Sequence, residues 1–179
     1  MAAASPASIQ ITVDRPEHLF NALDPAPLIG RDLDEKIERY VVHLARETDA
    51  RGYAMTIHLS EVPSENLDEF GKAIGVFFAH RRDEEAQKLR LLLREGRHAL
   101  AIGLAFLSLC VFFGLVSLRT IPEPFGFLLD EGLLIVGWVA NWRPIEIFLY
   151  DWRPIRSQRN MFDALARMPV SFQAVPSLG

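Results

Sequence analysis

The chain has 179 residues, half of them apolar, with 19 basic and 23 acidic side chains and a net charge of −4. That length holds one soluble domain of roughly 100 residues and a small membrane part. The charge balance offers no basic face of the kind nucleic-acid binding needs, so nucleic acid is not an expected partner. A single cysteine, Cys110, excludes an internal disulfide and implies no oxidising compartment.

Residues 1–8 are rich in Ala and Ser, with neither a basic start nor an apolar core. They do not read as a secretory signal, and the membrane segments are expected to direct insertion. Ile9, Ile11 and Val13 alternate with Gln10 and Thr12, the pattern of a half-buried strand. Asp24-Pro25-Ala26-Pro27 opens a loop running to Arg31, which two prolines make a stiff turn. A partner-docking role is the sharper reading of that turn and a purely structural one the plainer. Asp32 with Glu35 then forms an expected capping box, ahead of a helix whose apolar stripe is Leu33, Ile37, Tyr40, Val41 and Leu44. Gly52 is the expected stop.

Alternation returns in residues 53–59, with Tyr53, Met55, Ile57 and Leu59 on one face. Strand, helix and strand make a β-α-β unit, for which parallel pairing and a right-handed crossover are expected. A second helix, capped by Asn66 and Glu69, carries Leu67, Phe70, Ile74, Phe77 and Phe78 inward, with Gly71 and Gly75 allowing close packing. From His80 to Lys88 the pattern is polar on every face, as in a solvent-bridging stalk.

Residues 99–118, ALAIGLAFLSLCVFFGLVSL, contain no charge. Twenty helical residues at ~1.5 Å each span ~30 Å, the thickness of a hydrocarbon core. Cys110 falls in this run, as a small residue facing lipid or a helix. Residues 125–150 are also mostly apolar, but Asp130, Glu131, Arg143 and Glu146 interrupt them. Lys88, Arg90, Arg94 and Arg97 precede the first segment and Arg153, Arg156 and Arg159 follow the second, whereas only Arg119 lies between, against Glu123, Asp130 and Glu131. The positive-inside rule therefore puts both termini in the cytoplasm and the short Pro-containing connection outside. Trp138, Trp142, Tyr150 and Trp152 are the expected interfacial anchors.

Pro144 should kink or break the second helix. Either one kinked helix spans, or a spanning helix is followed by an interfacial one, and a break near Pro144 is preferred. The tetrapeptide Trp142-Arg143-Pro144-Ile145 recurs as Trp152-Arg153-Pro154-Ile155, two corners at which Pro is expected to take the first helical position. Beyond them, residues 155–167 read as an amphipathic helix with Phe162, Leu165 and Met168 on one side. Val170, Phe172 and Ala174 then alternate with Ser171 and Gln173, a strand suited to the amino-terminal sheet.

The expected fold is thus α/β: a small two-layer cytoplasmic domain, β-α-β-α plus a carboxyl-terminal strand, with a two-helix transmembrane hairpin. Its parts are residues 1–88 (domain and helical stalk), 89–152 (hairpin, spans near 98–118 and 127–143, interfacial helix 144–151) and 153–179 (helix and strand returning to the domain).

Chemistry-bearing candidates are few. His18, His43, His58, His80 and His98 lack a second ligand at metal spacing, so no metal is expected; His58 reads as an ordinary surface histidine before a site residue. No phosphate-cradling glycine loop is present, and no cofactor or catalytic residue is expected. Ionisable groups at membrane depth are costly and often functional. Asp130, Glu131, Arg143, Glu146 and Asp151 are therefore the candidate set, lying either in the bilayer or, as preferred, in the headgroups. Arg143 and Glu146, three apart, are expected to pair. Lys88, Arg90, Arg94 and Arg97 form a basic collar that sets topology and attracts anionic lipid.

Residues 131–155, EGLLIVGWVANWRPIEIFLYDWRPI, and residues 20–34, FNALDPAPLIGRDLD, are similar to the hallmark stretches of a group of uncharacterised two-helix bacterial membrane proteins. The resemblance implies a bacterial inner-membrane placement and adds no catalytic residue. The resulting expectation is a non-enzymatic, membrane-anchored interaction or scaffold protein. Its expected partners are membrane lipids and either a second copy of itself or another membrane protein. The alternative is an oligomeric proton or ion path built from the acidic residues of the second segment; an enzyme ranks third.

Overall fold

The structure, a computed structural model, describes residues 7–48, 52–61 and 67–175. The expected cap residue Asn66 lies outside them. In chain order the elements are β1 (Ala7–Val13), a 3-10 turn (Pro16–Leu19), α1 (Glu35–Glu47), β2 (Tyr53–Leu59), α2 (Leu67–Thr120), α3 (Phe125–Val139), α4 (Trp142–Glu146), a π-helical turn (Ile147–Asp151), α5 (Trp152–Ala166) and β3 (Val170–Ala174). The chain divides into two compact units, Met1–Glu85 with Ser157–Gly179, and Ala86–Arg156.

The first unit is built on a three-stranded parallel sheet in the order β1-β2-β3. Alternation sets its faces: Tyr53, Met55, Ile57 and Leu59 are buried along the central strand, while Ala54, Thr56 and His58 are half-exposed. The carboxyl-terminal strand completes the sheet, running from Met55 opposite Val170 to Leu59 opposite Ala174. Onto the buried face pack Val41 and Ala45 of α1, Phe70, Ile74, Phe77 and Phe78 of α2, and Phe162 and Leu165 of α5. Phe78 lies between Phe77 and Phe162, at centroid distances of 5.3 and 6.4 Å. Gly75 lets α2 approach the end of α5; a Cβ there would stand 3.2 Å from the Ala166 carbonyl oxygen.

Three local expectations are corrected here. The N-cap of α1 is Asp34, whose carboxylate accepts from the Lys36 amide at 2.9 Å, and not Asp32. The Asp32 amide is already committed, donating to Asp24 Oδ2 at 2.7 Å across the Pro25–Pro27 turn. Tyr40 leaves the apolar stripe and is 46% exposed, because the inward face of α1 centres on Val41 and Ala45. Finally, the stretch 80–88 is not solvated on every face. Arg81 reaches Glu38 of α1 at 2.7 Å and lies over the Phe77 ring, Arg82 reaches Asp163 of α5 at 3.4 Å, and Glu85 is buried. Ion pairing between helices substitutes for apolar contact where the α2 stripe gives out.

The loop joining the 3-10 turn to α1 is tied by its own residues. Asp24 accepts from the Ala26 and Asp32 amides, and the Arg31 guanidinium donates twice to the Ala26 carbonyl. Gly30 supplies the left-handed backbone (φ 109°) that closes it. The two amide bonds, Asp32 first, hold the Asp24 carboxyl below the usual aspartate range.

Asp163 is held low as well, chiefly by the hydrogen bond from Arg167, against partial desolvation and with help from Arg82. A carboxyl lowered in the folded state contributes stability that is present above its unfolded value of about 3.9 and lost as pH falls through the folded one. The Asp163→Asn variant is therefore expected to show a flatter loss of thermal stability than the parent between about pH 5 and pH 2. Parallel acid curves for the two proteins would refute this role.

Candidate functional site

The second unit holds the more pointed chemistry. Two helical runs are long and apolar enough to cross a membrane, Leu67–Thr120 and Phe125–Ala166. Only 17% and 22% of their most apolar stretches are buried, unlike the core helices of soluble domains. Ile102, Phe112, Phe125, Leu128 and Trp138 are each more than half exposed.

What is buried lies along one seam. On α2 these residues are Gly96, Gly103, Cys110, Gly114 and Ser117. The positions 96, 103, 110 and 117 repeat every seven residues, the 3.5-residue period that keeps one face against a partner helix. Small residues let two helix backbones approach closely, which is what a helix pair would need in lipid, where no hydrophobic drive brings helices together. Opposite them lie Gly126, Gly137, Asn141, Pro144 and Ile147. A Cβ on Gly137 would stand 2.7 Å from Leu107 Cδ1 and 3.3 Å from Cys110 Cβ, so Cys110 faces the partner helix. A Cβ on Gly126 would meet the carbonyl oxygens of Ile121 and Ser117 at 2.8 and 3.0 Å. Ser117 Oγ has one hydrogen to donate, shared between the Gly114 carbonyl at 2.7 Å and that of Gly126 at 3.1 Å.

Asn141, 5% exposed, stands where α3 ends. Its amide nitrogen donates to the Gly103 carbonyl across the seam at 3.1 Å and to the Gly137 carbonyl at 3.0 Å. Its Oδ1 is buried without a hydrogen-bond partner. A Cβ on Gly103 would come within 2.7 Å of that oxygen, so only glycine leaves room for the contact. Sequence reasoning passed over Asn141 and Gly103; the seven-residue spacing of small side chains was the signal available.

The break in the second arm falls at Ala140 and Asn141, just ahead of α4. Pro144 and Pro154 each occupy the third position of a helix rather than the first. Pro144 fits because the first turn has amide groups without intrahelical partners. Pro154 follows directly on the π-helical turn Ile147–Asp151. Its ring crowds the carbonyl four residues back, which the wider turn accommodates.

The candidate charged residues separate into two groups. Arg143 gathers three carboxylates, Asp151 at 2.9 Å, Glu146 at 3.2 Å and, from α2, Glu95 at 3.8 Å. Asp130 instead packs against Gly114, and Glu131 is exposed. Gly114 lies eighteen residues beyond Gly96, ~27 Å along the helix. Cys110, Leu107 and Gly137 occupy the seam between the two groups.

Trp138, Trp142 and Tyr150 are exposed, as rings settling into an interface would be. Trp152 is half-buried, donating to the Phe148 carbonyl at 2.8 Å with the Arg156 guanidinium 5.5 Å from its ring centroid. In the collar, Arg90 Nε donates to the Ala86 carbonyl, and Arg94 and Arg97 are exposed. Lys88, also exposed, is the fourth member of that collar. Among the described residues, no group of three or more His, Cys, Asp and Glu is placed to hold a metal ion. Comparison with known protein families, with characterised proteins and with solved structures finds no match to this chain.

Proposed function

We propose that this chain is a membrane-anchored docking protein of the bacterial inner membrane, held by a two-pass hairpin with both termini cytoplasmic and acting without catalysis. The exposed apolar faces of α2 and α3 support the anchor, and the arginines flanking the hairpin support its orientation. The observation that carries the docking role is a groove of about 640 Å³ on the α/β unit. Gly71, Gly75 and Ala79, four residues apart, hollow one face of α2, and Val170 and Phe172 of the edge strand β3 form the facing wall. Ile29, from the tied loop, closes one side, and Val76 is exposed within it. An apolar trough beside a strand edge that has no sheet partner among the described residues suits an extended segment of a partner protein, which gains main-chain bonds from the edge and side-chain contacts from the trough.

The test is made in native membranes. The chain is expected to stay in the pellet after a carbonate wash, and a photoreactive amino acid at Val76 is expected to crosslink one protein. Gly71→Leu, whose Cβ makes only ordinary contacts with Val170 at 3.7 Å and Phe172 at 3.9 Å, fills the groove and is expected to abolish the crosslink. Crosslinking that Gly71→Leu leaves unchanged would remove the basis of the proposal.

The ion-path alternative gains less support. Asp130 stands opposite Gly114, four residues short of the end of the uncharged stretch. However, ~27 Å of helix separates it from the Arg143 group, and Leu107, Cys110 and Gly137 pack closely between them.

A further inference from the structure

We propose that Arg90, Arg94 and Arg97, with Leu93 and Phe148, form a site for one anionic phospholipid, its phosphate held by the arginines and its glycerol and first methylenes lying on Leu93 and Phe148. The proposal rests on the membrane placement given above and adds a specific ligand to it. Its starting point is a cavity of about 480 Å³ lined by these five residues. That volume falls within the range of about 300–1,000 Å³ common for small-molecule sites.

Helical spacing builds the cationic side. Positions 90, 94 and 97 recur at intervals of four and three, so the three arginines share one face of α2 with Leu93; their aliphatic stems line the cavity, which leaves the charged ends at its rim to meet a headgroup. Phe148 comes from the π-helical turn, and Gly96 lets it lie against the backbone of α2. A Cβ on Gly96 would stand 3.3 Å from Phe148 Cζ and 2.9 Å from Ile147 Cγ2, and Ile147 is fully buried. The wall is therefore a packed part of the hairpin.

Charge accounting points to an anion. The nearest carboxylate on the same helix, Glu95, faces Arg143, which also takes Glu146 and Asp151. Arg94 and Arg97 have no ion pair among the described residues, and Arg90 makes only a bond to the Ala86 carbonyl. Three cations without acidic partners, set around two apolar side chains, match an amphiphile with a phosphate head.

Depth agrees. Arg97 lies two residues before the uncharged stretch 99–118, Arg94 lies ~4.5 Å further out and Arg90 ~10 Å. The headgroup layer is about 5–7 Å thick on each side. Arg94 and Arg97 thus fall at phosphate level, and Arg90 reaches the outer edge of that layer. Basic pockets between membrane helices on the cytoplasmic side are a recurrent way of holding anionic headgroups.

The test uses the full chain, reconstituted in phosphatidylcholine vesicles with a minor share of phosphatidylglycerol, extracted in mild detergent and weighed by native mass spectrometry. The wild type is expected to retain one phosphatidylglycerol. A hydrogen bond from a guanidinium to the phosphate contributes about tenfold, so Arg94→Gln with Arg97→Gln is expected to lower retention about a hundredfold. Arg153→Gln with Arg156→Gln removes the same charge elsewhere and is expected to leave retention unchanged. Phe148→Ala is expected to lower retention with no change in charge. Equal loss from both arginine pairs would mean diffuse attraction and overturn the site, and displacement of the lipid by inorganic phosphate would assign it to a free anion instead. A wild type that reconstitutes but retains no phosphatidylglycerol would also overturn it. Failure of the chain to enter vesicles at all would count against the membrane placement, and is read separately.

Discussion

Replacing Gly137 by leucine is expected to destabilise the helical hairpin by about 3 kcal/mol, combining overpacking with weakened hydrogen bonding across the seam. The clash is with backbone as well as side chain, since a Cβ alone would stand 3.3 Å from Leu107 Cα. Pushing α3 away also separates Asn141 from the Gly103 carbonyl, the bond that ties the end of α3 to α2. Gly137→Ala should show a smaller loss of the same sign. Gly132, on the same helix, has nothing within 4 Å of its would-be Cβ. Gly132→Ala is therefore expected to be neutral or to stabilise by about 0.5–1 kcal/mol through helix propensity. The measurement is unfolding of the purified protein by SDS titration, followed by the fluorescence of Trp138, Trp142 and Trp152, which all lie in the hairpin unit. If Gly132→Ala and Gly137→Ala behave alike, the close seam between α2 and α3 is wrong.

The second large effect is expected in the α/β unit. Leu165→Ala should cost about 2–5 kcal/mol, the range for removing a fully buried leucine. Leu165 is 0% exposed and lies in a core assembled from residues far apart in the chain, with Val41, Phe78 and Ile57 in the same cluster. The loss should extend to the sheet, because β3 follows α5 directly and the Pro169 carbonyl accepts from the Met55 amide at 2.9 Å. Amides of β2 should then exchange hydrogen faster in step with the thermal midpoint. Asn160, exposed on the same helix, is the control, and Asn160→Ala should stay within about 0.5 kcal/mol. A Leu165→Ala protein as stable as that control would show that the carboxyl-terminal segment does not close the core.

These two sites differ in how legible they were. Leu165 could be read from the amphipathic spacing of residues 155–167, as could the inward faces of β2 and α2, because periodicity records which side of an element avoids water. The carboxyl-terminal strand was likewise visible as alternation, Val170 and Phe172 against Ser171 and Gln173. The cap of α1 lies two residues beyond the position the capping-box pattern indicates, because Asp32 and Asp34 are chemically equal and only the Asp24 contact tells them apart. The collar arginines could be read from charge asymmetry, whereas the cavity they share with Phe148 could not.

By itself, the amino-acid sequence determined the elements, their apolar faces, the two long uncharged or weakly charged helices and the charge asymmetry around them. The first three depend on neighbours within a few turns, and the last is a count along the chain that needs no contact. Only the tertiary structure decided that β3 completes the sheet beside β2, that Arg81 and Arg82 hold α2 to α1 and α5, and that Glu95 pairs with Arg143. It likewise decided that Asn141 reaches Gly103. A charged or amide side chain has many partners of suitable chemistry along the sequence, and the choice among them is made by distance and desolvation once the apolar faces have packed.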